Sequence, residues 1–142
     1  VGGKGWLEDP IYQTITDLRM NDYVRFTGFA AEADLPALYS GAQALAFPSL
    51  YEGFCLPILE AMACGIPVLT ANLSSLPEVA GDYALLVNPY DQEAINDGLR
   101  RLIHDDALRE RFVAGGFQHV QRFSWANAAQ HLLHVYQQLL AP

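Results

Sequence analysis

Four short apolar runs, spaced too widely to pair as tight hairpins, constrain this chain more than any other feature. They lie at residues 24–29, 44–47, 67–70 and 84–87. Most are nearly continuous in apolar character rather than alternating, which is the pattern of strands covered on both faces. Each segment between them is about a dozen residues or longer, enough for a crossover between parallel strands. Helices are predicted over 34–41 and 56–64, with one shorter helix before the last run. Strand and helix in alternation predict an α/β fold, a Rossmann-like open parallel sheet with helices on both faces.

The flanks read as helical. Asp9-Pro10 has the form of an N-cap with proline at the first helical position, and Ile11, Ile15 and Leu18 share one stripe. Asp91 is placed to cap a helix ending near His104, and a second helix is predicted over about 107–122, with Leu108, Phe112 and Val120 facing inward. Gly115-Gly116 weakens that helix by about 1 kcal/mol per glycine relative to alanine, which predicts a kink. Ser124 caps a last helix over 125–140 that holds no Asp, Glu, Lys or Arg. No repeat or linker interrupts the 142 residues, so a single domain over 1–142 is expected.

Composition removes several classes of function. Sixteen acids against eight Lys and Arg give a net charge of −8, which argues against nucleic-acid binding. No apolar run reaches the length of a transmembrane helix. The opening Val-Gly-Gly-Lys-Gly-Trp lacks the pattern of a signal peptide and resembles a strand running into a turn. The expectation is therefore a domain lacking its first strand or strands. Cys55 and Cys64 have no His-rich neighbourhood and fit neither a disulfide framework nor a metal-ligand spacing. Reduced thiols and a cytoplasmic location follow as expectations, with no metal and no cofactor.

The segment from Pro48 to Gly65 carries the chemistry. It leaves the second predicted strand and enters a helix with Pro57 in its first turn. Ligands of open α/β sheets bind beyond the carboxyl ends of the strands, where this loop must fall. Gly53 permits close backbone approach, and the amides of Phe54 to Leu56 lie at a helix N-terminus that favours an anion such as a diphosphate. Glu52 and Glu60 flank that site. An ionised carboxylate only accepts hydrogen bonds, so it suits the vicinal hydroxyls of a sugar or ribose. Glu60 equally suits a helix-dipole partner, and Glu52 an exposed turn acid; spacing alone leaves both readings open.

This stretch resembles the signature of the family 4 retaining glycosyltransferases of the GT-B fold. The shared features are Pro48-Ser49, then Glu52-Gly53-Phe54-Cys55-Leu56-Pro57, then Glu60 eight positions after Glu52. The resemblance continues through Glu60-Ala-Met-Ala-Cys-Gly-Ile-Pro-Val68, Leu76-Pro77-Glu78-Val79 and Phe123-Ser124-Trp125. It implies a donor-binding C-terminal domain that lacks its N-terminal acceptor-binding partner. Glu52 would contact the transferred sugar as the catalytic group. Glu60 would hold the nucleotide ribose, and the amides of Gly53, Phe54, Cys55 and Leu56 would bind sugar hydroxyls and diphosphate. Gly28 and Phe29, ending the first predicted strand, would lie near the base.

The implied reaction moves a sugar from a nucleotide-diphosphate donor to an acceptor hydroxyl, with retention, in polysaccharide or glycoconjugate biosynthesis. The alternative is a nucleotide-sugar-binding module without catalysis. Any peripheral membrane contact would come through the absent domain.

Two departures stand out. Cys55 replaces the family's usual glycine, which predicts a thiol narrowing the sugar pocket. The family's basic diphosphate pair has no match here, and Lys4 is not at its place. Other features read as structural. Val1 to Gly5 lacks the spacing of a phosphate loop. Pro77-Glu78 opens a short helix as a cap or a ligand contact. His104, His119, His131 and His134 are expected far from the signature, and Cys64 in the core. The apolar breadth of the last helix predicts that the 142-residue chain self-associates and, by itself, transfers nothing.

Overall fold

The computed structural model describes residues 8–140. The turn expected around Lys4 lies outside the described residues. The chain parts into two compact units with the boundary after Ala37.

In the first unit, α1 spans Asp9–Asp17. Glu8 rather than Asp9 holds the N-cap position, so the helix starts one residue earlier than the Asp-Pro pattern suggests. Arg19, at φ 55°, closes it in the left-handed conformation, and the Met20 amide reaches back to the Ile15 carbonyl at 2.8 Å. Residues 24–29 are not a strand. A strand needs a neighbour to take its amides and carbonyls, and none of the described residues pairs with this run. Instead Phe26 sets its ring against Tyr12, with centroids 4.7 Å apart. A 3-10 turn (Glu32–Asp34) leads into α2 (Leu35–Ser40), within which the boundary falls.

The second unit is built on a parallel sheet of β1 (Leu45–Phe47), β2 (Val68–Ala71) and β3 (Leu85–Val87), in that order. Leu45 pairs with Val68 and Phe47 with Thr70; Leu69 pairs with Leu85 and Ala71 with Val87. The crossovers are α3 (Leu56–Ala63) and α4 (Leu76–Ala80). After β3 come α5 (Gln92–His104), α6 (Asp106–Val120) and α7 (Trp125–Leu140).

β2 is buried at every residue, as a central strand covered twice should be. Val68 packs with Ile58, Leu59 and Met62 of α3, whereas Leu69 packs with Leu85, Val87, Leu102 and Phe112. Successive strand residues point to opposite faces, so helices cover both sides of the sheet. Gly98 brings α5 down onto its face, since a Cβ there would lie 2.6 Å from a methyl of Leu69.

Helix ends follow local chemistry. The side chains of Asp91 and Asp105 accept from the amides of Ala94 and Leu108, and Ser124 accepts from Asn127. α3 ends at Gly65, φ 75°, where the Ile66 amide bonds the Ala61 carbonyl at 3.1 Å. The expected kink at Gly115-Gly116 is absent, and α6 runs unbroken past both glycines. They serve close approach: a Cβ on Gly115 would sit 2.0 Å from the Tyr83 ring, and one on Gly116 would press on Met62 at 3.2 Å. No described helix is long and apolar enough to cross a membrane.

Candidate functional site

The site begins where β1 runs out. Thr70 donates its hydroxyl to the Phe47 carbonyl at 2.8 Å, tying the carboxyl ends of β1 and β2 together. The loop that follows is drawn onto the segment after β2 by two serines. Ser74 Oγ accepts from the Glu52 amide and donates to the Glu52 carbonyl, both at 3.1 Å. Ser75 donates to the same carbonyl at 2.9 Å. Ser75 holds the N-cap position of α4 but makes no capping bond there; its hydroxyl serves Glu52 instead. Ser74 adopts φ 51°, a left-handed conformation that costs free energy in a residue with a Cβ. Within the loop, Ser49 donates to Glu52 Oε1 at 2.9 Å, fixing the carboxylate itself.

Glu60 lies one turn into α3, half-buried, and takes a 2.8 Å hydrogen bond on Oε2 from the Tyr39 phenol. Burial pushes the Tyr39 phenol well above its ordinary range, and the Glu60 hydrogen bond and charge add to the rise. Glu52 and Glu60 converge on one small region. Burial raises the Cys55 thiol above its ordinary value, the nearby Ile58 amide opposes this, and the charges of both glutamates add to it.

Between them the chain turns into α3 through Cys55, at φ 78°. This is the position where the resembled family carries glycine, and the left-handed backbone explains that preference. The thiol is buried in the core, whereas the sequence reading expects a side chain exposed beside the donor. Cys55 is 7% exposed and belongs to the core cluster with Ile58 and Leu59. An αL backbone turns the side chain inward, where a small apolar thiol fits.

Among the described residues, the amides of Gly53, Phe54 and Cys55 donate to no protein acceptor. No side chain caps the amino end of α3 either. Gly53 is exposed, its φ is not left-handed, and a Cβ on it would meet nothing within 4 Å. Among the described residues nothing therefore requires glycine there. The arrangement offers a run of amides at a helix N-terminus with an acceptor carboxylate on each side, suited to an anion carrying hydroxyl-bearing rings.

The structure brings Glu52, Gly53, Phe54, Cys55, Leu56 and Glu60 together. Gly28 and Phe29 belong to the first unit, where Gly28 has φ 66° and Phe29 is 83% exposed. The strand that was to carry them to the site is not formed.

The histidines need a second correction. His119 is buried, and its Nε2 donates to the Val79 carbonyl at 2.9 Å. Its ring meets Phe123 at 5.2 Å, and Phe123 meets Phe54 of the loop at 5.8 Å. With His131, Glu78 and Trp125 it lines a groove of about 540 Å³ that Phe54 and Leu56 also border. Two histidines thus adjoin the signature rather than lying far from it. Of the groups that fasten the site, Ser49 enters the sequence reading only as part of the signature, and Ser74, Ser75 and Tyr39 are absent from it. Ser74 and Ser75 follow the carboxyl end of β2, and the strand-end rule that located the Glu52 loop points to them as well.

Among the described residues no cluster of His, Cys, Asp and Glu could hold a metal ion.

The family described as "Glycosyl transferases group 1" matches residues 1–119. Over 138 residues the chain is 40% identical to O-antigen chain mannosyltransferase B of Escherichia coli, covering 97% of this chain and 36% of that protein. It is 36% identical over 143 residues to a D-inositol 3-phosphate glycosyltransferase of Saccharomonospora viridis, covering 98% of this chain and 33% of that protein. The chain thus spans about a third of the length of these relatives. Its fold superposes on sucrose-phosphate synthase from Thermosynechococcus elongatus with a TM-score of 0.85 and 30% identity, over 97% of this chain and 37% of that one. It superposes on Anabaena HepE, solved in complex with UDP and glucose, with a TM-score of 0.84 and 26% identity, over 96% and 39%. The chain belongs to the group 1 glycosyl transferases and has the fold of the C-terminal domain of the GT-B enzymes.

Proposed function

We propose that this chain is the donor-binding half of a retaining glycosyltransferase that moves a sugar from a nucleotide diphosphate to an acceptor hydroxyl. The observation that carries this reading is the open amino end of α3. Three uncommitted amides, Gly53 to Cys55, lie there between two fixed carboxylates. The diphosphate sits on these amides and the helix dipole, which stabilise the negative charge that grows on it as the sugar departs. Glu52, locked by Ser49, Ser74 and Ser75, faces the transferred sugar, and Glu60 accepts from the ribose hydroxyls. Gly53 supplies the open space for the donor.

The binding of UDP and glucose by HepE supports a nucleotide-sugar ligand. The name of the 40%-identical relative makes nucleotide-linked mannose the first donor to test. The acceptor and the remaining diphosphate contacts belong to a further domain, so the 142-residue chain alone binds donor without transferring it. Its two free thiols fit a cytoplasmic setting. The bare apolar residues of α7 support self-association of the chain in isolation.

The test is product stereochemistry. The natural protein carrying this chain, given α-configured GDP-mannose and a panel of sugar acceptors, yields an α-linked product by proton NMR. A β-linked product contradicts retention. Donor binding without transfer to any acceptor would favour a binding module instead.

A further inference from the structure

We propose that Tyr39 is a positioning residue for nucleotide recognition, its phenol holding the Glu60 carboxylate in the orientation that accepts the ribose hydroxyls. The inference rests on the ribose role given to Glu60 above. Tyr39 comes from α2, 21 residues before Glu60, so the contact is a tertiary one rather than a pairing of helix neighbours. Its phenol reaches Glu60 Oε2 at 2.8 Å in a part-buried setting, and its ring packs against the core cluster around α3. The donor is therefore fixed before any ligand arrives.

Lone-pair counting gives the bond a purpose beyond satisfying a tyrosine. A carboxylate has about four acceptor sites on its two oxygens. The phenol occupies one, on Oε2, and no described residue donates to Oε1. Three sites stay open for a vicinal diol that can only use them if the carboxylate plane is correctly turned. A free glutamate side chain samples many rotamers and loses that freedom on binding. Here the phenol removes the freedom in advance. Burial and the neighbouring carboxylate keep the phenol protonated, and so a donor, across the neutral range.

The experiment is calorimetry on the natural protein carrying this chain. The probes are whichever of UDP, GDP and ADP binds most tightly and its 2′,3′-dideoxy counterpart. Tyr39→Phe keeps the packed ring and removes only the hydroxyl. It is expected to weaken the ribonucleotide by about fivefold to tenfold and the dideoxy form by less than about twofold. In a Glu60→Ala background, Tyr39→Phe is expected to cost the ribonucleotide nothing further. Equal losses on both nucleotides, or an undiminished loss without Glu60, would assign Tyr39 to core support and overturn the proposal. A wild-type protein that binds both nucleotides equally refutes the ribose role of Glu60 itself, which separates the two failures.

Discussion

Helices α3 and α7 are both rich in apolar residues, and only one of them is covered. α3 has eight residues, of which Ile58, Leu59, Ala61 and Met62 are buried. α7 has sixteen, of which none is buried; Trp125 is 91% exposed, and Leu139 and Leu140 are nearly as bare. The difference comes from connectivity rather than composition. α3 is the crossover between β1 and β2, so the sheet is at hand to cover it, and α6 closes over it where Gly116 meets Met62. α7 follows the last strand, and its amino-terminal residues Trp125, Asn127, Ala128 and His131 help to line the groove without any of them becoming buried. The helix that carries the candidate anion site is thus better anchored than α7.

That contrast predicts its largest effect in the core. Ile58→Ala is expected to lower unfolding free energy by about 2–5 kcal/mol through lost burial and a cavity. Leu139→Ala should change it by no more than about 0.5 kcal/mol, since little is removed from contact. Urea denaturation of the two variants gives both numbers. Similar losses at both positions would mean that α7 is packed in solution, and sedimentation that stays monomeric at high concentration would agree.

A smaller effect sharpens the same comparison at the entrance of α3. Cys55→Gly relieves a left-handed backbone by about 1 kcal/mol and loses a buried thiol, so net stability should move by less than about 1 kcal/mol. Its pH dependence is the clearer signal. The folded pKa of Cys55 lies above its ordinary value of 9.0. The buried, neutral thiol therefore contributes stability that is complete below pH 9.0 and lost as pH rises through the folded pKa. Wild type should therefore lose stability relative to Cys55→Gly as pH rises above 9.0. Iodoacetamide at pH 8 should label the half-buried Cys64 before Cys55, at a rate independent of donor. Rapid labelling of Cys55 that donor suppresses would return the thiol to the sugar pocket.

Much of this was legible in the sequence, for identifiable reasons. Three of the four apolar runs are strands because each has a parallel neighbour within reach. The run at 24–29, which mixes Arg25 and Thr27 with its apolar residues, has no strand partner among the described residues, and no local pattern can reveal that. The two glutamates and the intervening amides are singled out by the resemblance to the family signature, because spacing, glycine and the helix start alone leave the structural readings open. What escaped was three-dimensional. The φ of Cys55, which turns its thiol inward, is set by the geometry of the turn rather than by residue type. The serine clamp on Glu52 spans 22 and 23 residues, and the phenol on Glu60 spans 21. Gly115 and Gly116 weaken a helix locally but permit the contacts with Tyr83 and Met62 that hold it.

The central claim is that the two carboxylates divide the donor between them, and one measurement addresses it directly. Titration calorimetry on the natural protein compares a nucleoside diphosphate with the matching nucleotide sugar, in Glu52→Ala and in Glu60→Ala. Removing Glu60 should weaken both ligands by about tenfold or more, because both carry the ribose. Removing Glu52 should leave the nucleoside diphosphate within about twofold of wild type and weaken only the nucleotide sugar. Equal losses for both ligands in both variants would contradict the division and leave the two glutamates as parts of one undifferentiated acidic rim.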